Sequence, residues 1–288
     1  MIKKISVVAV MALFVVGCGS TGSKSKVDST TPTASTLSDA KALAENLGGG
    51  AVVANGLGKG AKSIKTSSTK TRSVQSIPCD EGSMVMDFDE TIFQSGIMPD
   101  SFDMKIEMKN CKDGKSLSNG KMNMTMSNFA SENPDFLITF PTDFTGSEGE
   151  KSYKILKGGS MKATSNYPLS TVTINFEMQE GSKSYGGKNL IYKIQENSDG
   201  SIGYFPVSGQ ENFGTGYYTV DPDYDASVSP MLMDGQGAMQ VGGLFKYLDG
   251  ANHKTEVEVT ATKEITVRVD LNANGTFESD EVEVVKVK

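Results

Sequence analysis

The 288-residue chain has no tryptophan, one histidine and three cysteines, and each scarcity removes a class of function. Without tryptophan, and with methionine prominent among its apolar residues, it lacks the aromatic girdles of a membrane-spanning barrel. The lone histidine, His253, leaves nothing for a histidine-clustered metal centre. Neither a Gly-x-Ser-x-Gly elbow nor a His-Glu-x-x-His helix accompanies it. No Cys-x-x-Cys pair is present, so the usual thiol redox motif is missing. Basic residues are outnumbered, 28 against 35, so nucleic acid is excluded as a partner, since its phosphates require a basic face. The same deficit argues against docking on anionic lipid by charge alone. A pair of glycosidase-type carboxylates need only meet in space, so an enzyme acting on surface polysaccharide stays open as a third reading.

The apolar run at residues 5–16 is too short to cross a bilayer as a finished helix. Lys3 and Lys4 precede it and Gly17 follows, the order of a secretory signal peptide. Its last residues, Val15-Val16-Gly17-Cys18, resemble the lipobox of bacterial lipoproteins. The resemblance implies that residues 1–17 are cleaved, that the Cys18 thiol carries diacylglycerol, and that the new amino group receives a palmitate-like chain. One acyl chain holds a protein marginally, whereas several anchor it stably. Gly19 stands where many lipoproteins kept at the inner membrane have aspartate, so the resemblance implies the outer membrane, with periplasmic or surface exposure left open. Cleavage removes Lys3 and Lys4 and takes the formal charge from -7 to -9.

With Cys18 consumed by lipid, Cys79 and Cys111 remain as an even pair in an oxidising compartment. A disulfide is expected. Its loop of about thirty residues would contribute roughly 3 to 4 kcal/mol on the chain-entropy model.

Residues 18–36 are Ser, Thr, Lys, Gly and Pro with almost nothing apolar, so burial cannot offset their ordering entropy and they read as a tether. Residues 37–48 predict one short amphipathic helix. Ser38 caps it, Asp39 suits its first turn, Gly48 stops it, and Ala40, Leu43, Ala44 and Leu47 share a face. Residues 49–76 are a Gly/Ser/Thr-rich linker. Residues 77–288 form the body, where period two takes over. Phe102, Met104, Ile106 and Met108 alternate with charged residues; Met122, Met124 and Met126, then Val172, Ile174, Phe176 and Met178, then Ile265, Val267 and Val269 repeat the pattern. Strands with one wet face belong to antiparallel sheets. Asp113-Gly114, Asn119-Gly120, Asp199-Gly200, Asp249-Gly250 and Asn274-Gly275 supply tight-turn chemistry between them. The expected fold is all-β: a single antiparallel meander forming a sandwich, barrel or curved half-barrel, preceded by the short helix.

Residues 270–281 carry oxygen side chains at positions one, three and five, Gly275 at six, an apolar residue at eight and Glu281 at twelve. They resemble the EF-hand calcium loop. The resemblance implies Asp270, Asn272, Asn274, the Thr276 carbonyl, Glu278 and Glu281 as ligands of a structural Ca2+. The flanks alternate as strands rather than helices, so the loop would sit on a β-hairpin. Two Asn in place of acids imply an affinity of about 0.1 to 1 mM. An ordinary Asn-Gly turn with solvated acids is the competing account. Asp221-Pro222-Asp223-Tyr224-Asp225 opens with the same spacing but lacks the later residues, and reads as a solvated turn. The 15 methionines include soft thioether ligands for Cu(I), yet they fall on the apolar face, where core filling is expected.

These features predict an outer-membrane lipoprotein whose β domain binds or scaffolds without catalysing. It meets the membrane through acyl chains and an envelope protein, lipid or glycan through its body. A curved β shell lined by methionine and holding an apolar ligand such as lipid is the alternative.

Overall fold

Alternating strands need hydrogen-bonded neighbours for their backbones and a shared partner for their apolar faces. A computed structural model describes residues 73–89, 100–128, 135–148, 151–166, 168–199, 201–214, 216–233, 240–261 and 264–286. The signal peptide, Cys18, the tether and the helix at residues 37–48 lie outside them. The strands are β1 (Ser73–Pro78), β2 (Glu81–Phe88), β3 (Ser101–Asp113), β4 (Ser116–Ser127), β5 (Asp135–Thr139), β6 (Phe144–Glu148), β7 (Lys151–Ile155), β8 (Ser160–Asn166) and β9 (Leu169–Glu180). They continue as β10 (Lys183–Glu196), β11 (Ile202–Phe213), β12 (Tyr217–Val220), β13 (Met231–Met233), β14 (Leu244–Leu248), β15 (Lys254–Ala261), β16 (Glu264–Val269) and β17 (Val282–Lys286). Short 3-10 turns occupy Ala226–Val228 and Ser279–Glu281.

All pairings are antiparallel, and the chain forms one meander. β1 to β4 pair in succession. Beyond them, residues 123–127 of β4 pair with β5 and residues 116–119 with β6, so β5 and β6 are one crossing broken at 140–143. β7 and β8 make the return crossing and pair with the two ends of β9. β9, β10 and β11 follow as long partners. β12 and β13 again split one crossing along β11, and β14 to β17 complete the sheet.

Register turns the alternation into rows. Met86, Ile106 and Met122 stand side by side, as do Phe102, Met126 and Phe136. Their buried faces join Val257, Ile265, Val267 and Val285 from the far end in one continuous core. Each large apolar side chain fully buried there contributes about 1.5 to 3 kcal/mol relative to exposure. Met84, Met108, Met122, Met126, Met161 and Met178 are all core residues, which places the methionine stripe in packing, the role a flexible thioether suits.

Cys79 and Cys111 form a disulfide with Cα atoms 5.4 Å apart. It ties the β1–β2 connection to the end of β3. Cys111 faces inward only because β3 carries a bulge. Asn110, at φ 47°, adds a residue after Met108 and moves the inward face from even to odd positions. Gly82 lies against it on β2, where a Cβ would stand 2.2 Å from the Asn110 carbonyl oxygen.

Two sequence expectations are corrected. Asn119-Gly120 is no turn: it lies inside β4, where the strand changes partner from β6 to β5, and a Cβ on Gly120 would meet the Asp143 carbonyl at 2.7 Å. The linker read to residue 76 ends earlier, because β1 starts at Ser73. A strand pairing through its backbone needs no apolar alternation to announce it.

Candidate functional site

The β16–β17 connection begins at Asp270 and ends at Glu281, both buried, while most residues between them are exposed. Asp270 organises the turn. Its Oδ1 accepts the N–H of Asn274 (3.0 Å) and its Oδ2 that of Gly275 (2.8 Å). Asn272 Oδ1 also receives Asn274 N–H (3.0 Å), and Asn274 Oδ1 receives both the N–H (2.8 Å) and the hydroxyl (2.7 Å) of Thr276. Glu278 accepts Asn274 Nδ2 at 2.7 Å and Asn272 Nδ2 at 2.8 Å. The Asn274 bond is the first cause of a carboxyl held below its usual range. Glu281 closes the loop: Oε1 accepts Leu271 N–H (2.8 Å) and Oε2 accepts Glu278 N–H (3.0 Å).

Asp270, Asn272, Asn274, Thr276, Glu278 and Glu281 therefore share one loop, with the two Asn amides donating to Glu278. Among the described residues no three His, Cys, Asp or Glu side chains gather as a metal-binding group. The loop offers a hard, all-oxygen donor set of the kind Ca2+ takes, and Asp270 and Glu281 are fixed at its two ends. The fit requires the amide groups on Glu278 and the N–H groups on Glu281 to yield those oxygens.

Beside this loop lies the β14–β15 turn, since Asp270 N–H donates to the Lys254 carbonyl at 2.9 Å. Asp249, fully buried, accepts Ala251 and His253 N–H groups at 2.8 and 2.9 Å. Its Oδ2 stands 3.0 Å from His253 Nδ1. The chain's one histidine is therefore largely buried, 17% exposed at its side chain, and oriented by an acid. Asp221 departs from a solvated turn in the same way: it is buried and accepts Asp223 N–H at 2.9 Å.

A polar group missed from sequence lies in the core itself. Glu211 accepts hydrogen bonds at Oε2 from Tyr247 Oη (3.0 Å) and from Tyr192 Oη. The residue keeps some exposure along its length, but its carboxylate end is enclosed. Burial pushes its pKa up to about 7, against the lowering effect of the two phenols. Simple alternation puts Glu211 outside, because Tyr204 on the same strand faces inward from an even position. A bulge between the two reverses the parity: Tyr192 pairs with Pro206 and Ile191 with Ser208, so β11 carries one extra residue at Val207. No local alternation in the sequence announces that extra residue.

On the opposite face, the register row Glu177, Gly186, Asn212 and Tyr217 crosses β9 to β12. Tyr217 Oη donates to Glu177 Oε2 at 3.2 Å, Ser184 donates to Oε1, and Lys188 Nζ sits 3.8 Å above the Tyr217 ring. Burial, then the Glu177 charge, raises the Tyr217 pKa. Ser184 is hydrogen-bonded to an acid, an arrangement that fastens strands. No family model, curated protein or solved structure matches the chain.

Proposed function

We propose that the protein is an outer-membrane lipoprotein, held by acyl chains on Cys18, whose β body serves as a non-catalytic binding or scaffolding domain. The observation that carries the second half is the inner face. It packs on itself from Met84 to Val285, with Tyr204, Phe245, Ile106, Met122 and Met126 among its fully buried side chains. Such a filled face favours a scaffold over a shell for an apolar ligand, and leaves the outer face, the loops and the sheet edges for an envelope protein or glycan partner. The Cys79–Cys111 bridge supports an oxidising compartment.

The anchor is tested by labelling cells with a palmitate analogue. The protein is expected to take the label and to pellet with membranes, and Cys18→Ala to lose both. A labelled or membrane-bound Cys18→Ala protein rejects the anchor.

The loop at 270–281 is proposed as a structural Ca2+ site that rigidifies the last hairpin. Bound at ten times its Kd, the ion would add about 1.4 kcal/mol, a melting shift of roughly 3 to 6 °C for a body of this size. Glu281→Gln is expected to abolish that shift, and an equal shift in both proteins rejects the site.

A further inference from the structure

We propose that Glu211, Tyr192 and Tyr247 form a proton-operated clasp: it holds β10, β11 and β14 together when the carboxyl is protonated and loosens that seam when the carboxyl ionises. The position in the sheet gives the clasp its purpose. On the side of β11 facing β14, residues 202–204 pair with β13 and residues 210–212 with β12, while among the described residues 205–209 have no strand partner in that direction. The intervening chain leaves the ladder there as a turn and the 3-10 segment Ala226–Val228. At the edge of this break, where Glu211 opposes Tyr218 and Tyr247 opposes Val220, side chains join the inner face over the last residues of β12. Glu211 reaches Tyr247 on β14 and Tyr192 on β10, and Tyr192 itself stands opposite Pro206, level with the break.

The groups facing the carboxylate are Tyr192 from β10, Tyr204 from its own strand, Tyr247 from β14 and, directly opposed in register, Tyr218 from β12. Gly187 and Phe176 continue its row on β10 and β9. None of these is a cation, and Lys188 lies on the other face over Tyr217. An ionised carboxylate in this company is stabilised by hydrogen bonds alone, whereas the protonated acid loses the desolvation cost and donates its own proton to a phenol oxygen.

The folded carboxyl is raised from an ordinary 4.5 to about 7. Between those values the native state holds a proton that the unfolded chain has released. The contribution is therefore complete below about pH 4.5 and lost as pH rises through about 7, for an effect on the unfolding constant on the order of 100-fold.

The test follows urea unfolding and amide hydrogen exchange of the full chain from pH 5 to 9, in a His253→Gln background that removes the chain's one histidine. Expected is a loss of stability with a midpoint near pH 7, and exchange, corrected for intrinsic rates, that quickens in β10, β11 and β14 but not in β3 and β4. Glu211→Gln should flatten both dependences. Tyr247→Phe keeps the acid but removes a donor to its ionised form, so its midpoint should move to higher pH, which keeps the test alive if Glu211→Gln does not fold. An unchanged pH profile in either variant, or exchange that quickens equally in both halves, overturns the clasp.

Discussion

The two halves of the sheet fill the same core with different chemistry. Six of the seven buried core methionines lie on β2 to β9, and all five buried core tyrosines lie on β10 to β14. Thioethers bring volume and flexibility without a polar group that demands a partner. A phenol brings a rigid ring and a hydroxyl that must be satisfied once buried. The tyrosine half has accordingly drawn the end of an acid side chain inward, while the methionine half is stapled by the Cys79–Cys111 bridge. One half is thus adaptable and cross-linked, the other built on rigid rings whose hydroxyls need polar partners.

The largest break in that contrast comes from the aromatic half. Phe245, fully buried edge-on against Tyr204 at 5.8 Å between ring centroids, should cost about 3 to 5 kcal/mol when changed to Ala, read by denaturant midpoint. Replacing Cys79 and Cys111 together by Ser should cost about 3 to 4 kcal/mol through the unfolded chain, and proteolysis should then begin in β1 to β3. Tyr247→Phe should cost roughly 1.5 to 3 kcal/mol above pH 8, where its partner is ionised, and about 1 kcal/mol at pH 5, where the bond is neutral. An equal cost at both pH values would place the protonation elsewhere. Met122→Leu should cost under about 1.5 kcal/mol, because a core of adaptable side chains absorbs a volume-conserving change. A larger loss there would erase the distinction between the halves.

Much of the architecture was legible because alternation is a direct record of one buried face. Met122, Met124 and Met126 announced β4, Asp113-Gly114 marked the β3–β4 turn, and Cys79 with Cys111 announced their bridge. What escaped notice has a common cause in positions where the chain departs from strict period two. The bulges at Asn110 on β3 and at Val207 on β11 change which residues face inward, so strict alternation would place Glu211 outside, whereas its carboxylate end turns toward the inner face. Asn119-Gly120 carries turn chemistry but serves a change of partner within a strand, which depends on β5 and β6 and not on local preference. The 270–281 loop was legible as a motif. Its internal hydrogen bonding was not, since the amide of Asn272 and that of Asn274 choose Glu278 only once the turn is closed.

The meander has a consequence for how the protein is made. Nearly every pairing joins neighbouring segments, so β1 to β4 can assemble with their disulfide before the residues of β17 exist. At each stage the newest strand is an exposed edge awaiting the next, and the growing sheet is vulnerable only along that front. The long wait falls at β11, whose second neighbour arrives in two pieces separated by the excursion at 221–230. A chaperone guarding this chain as it folds would have its work concentrated on that one unfinished border.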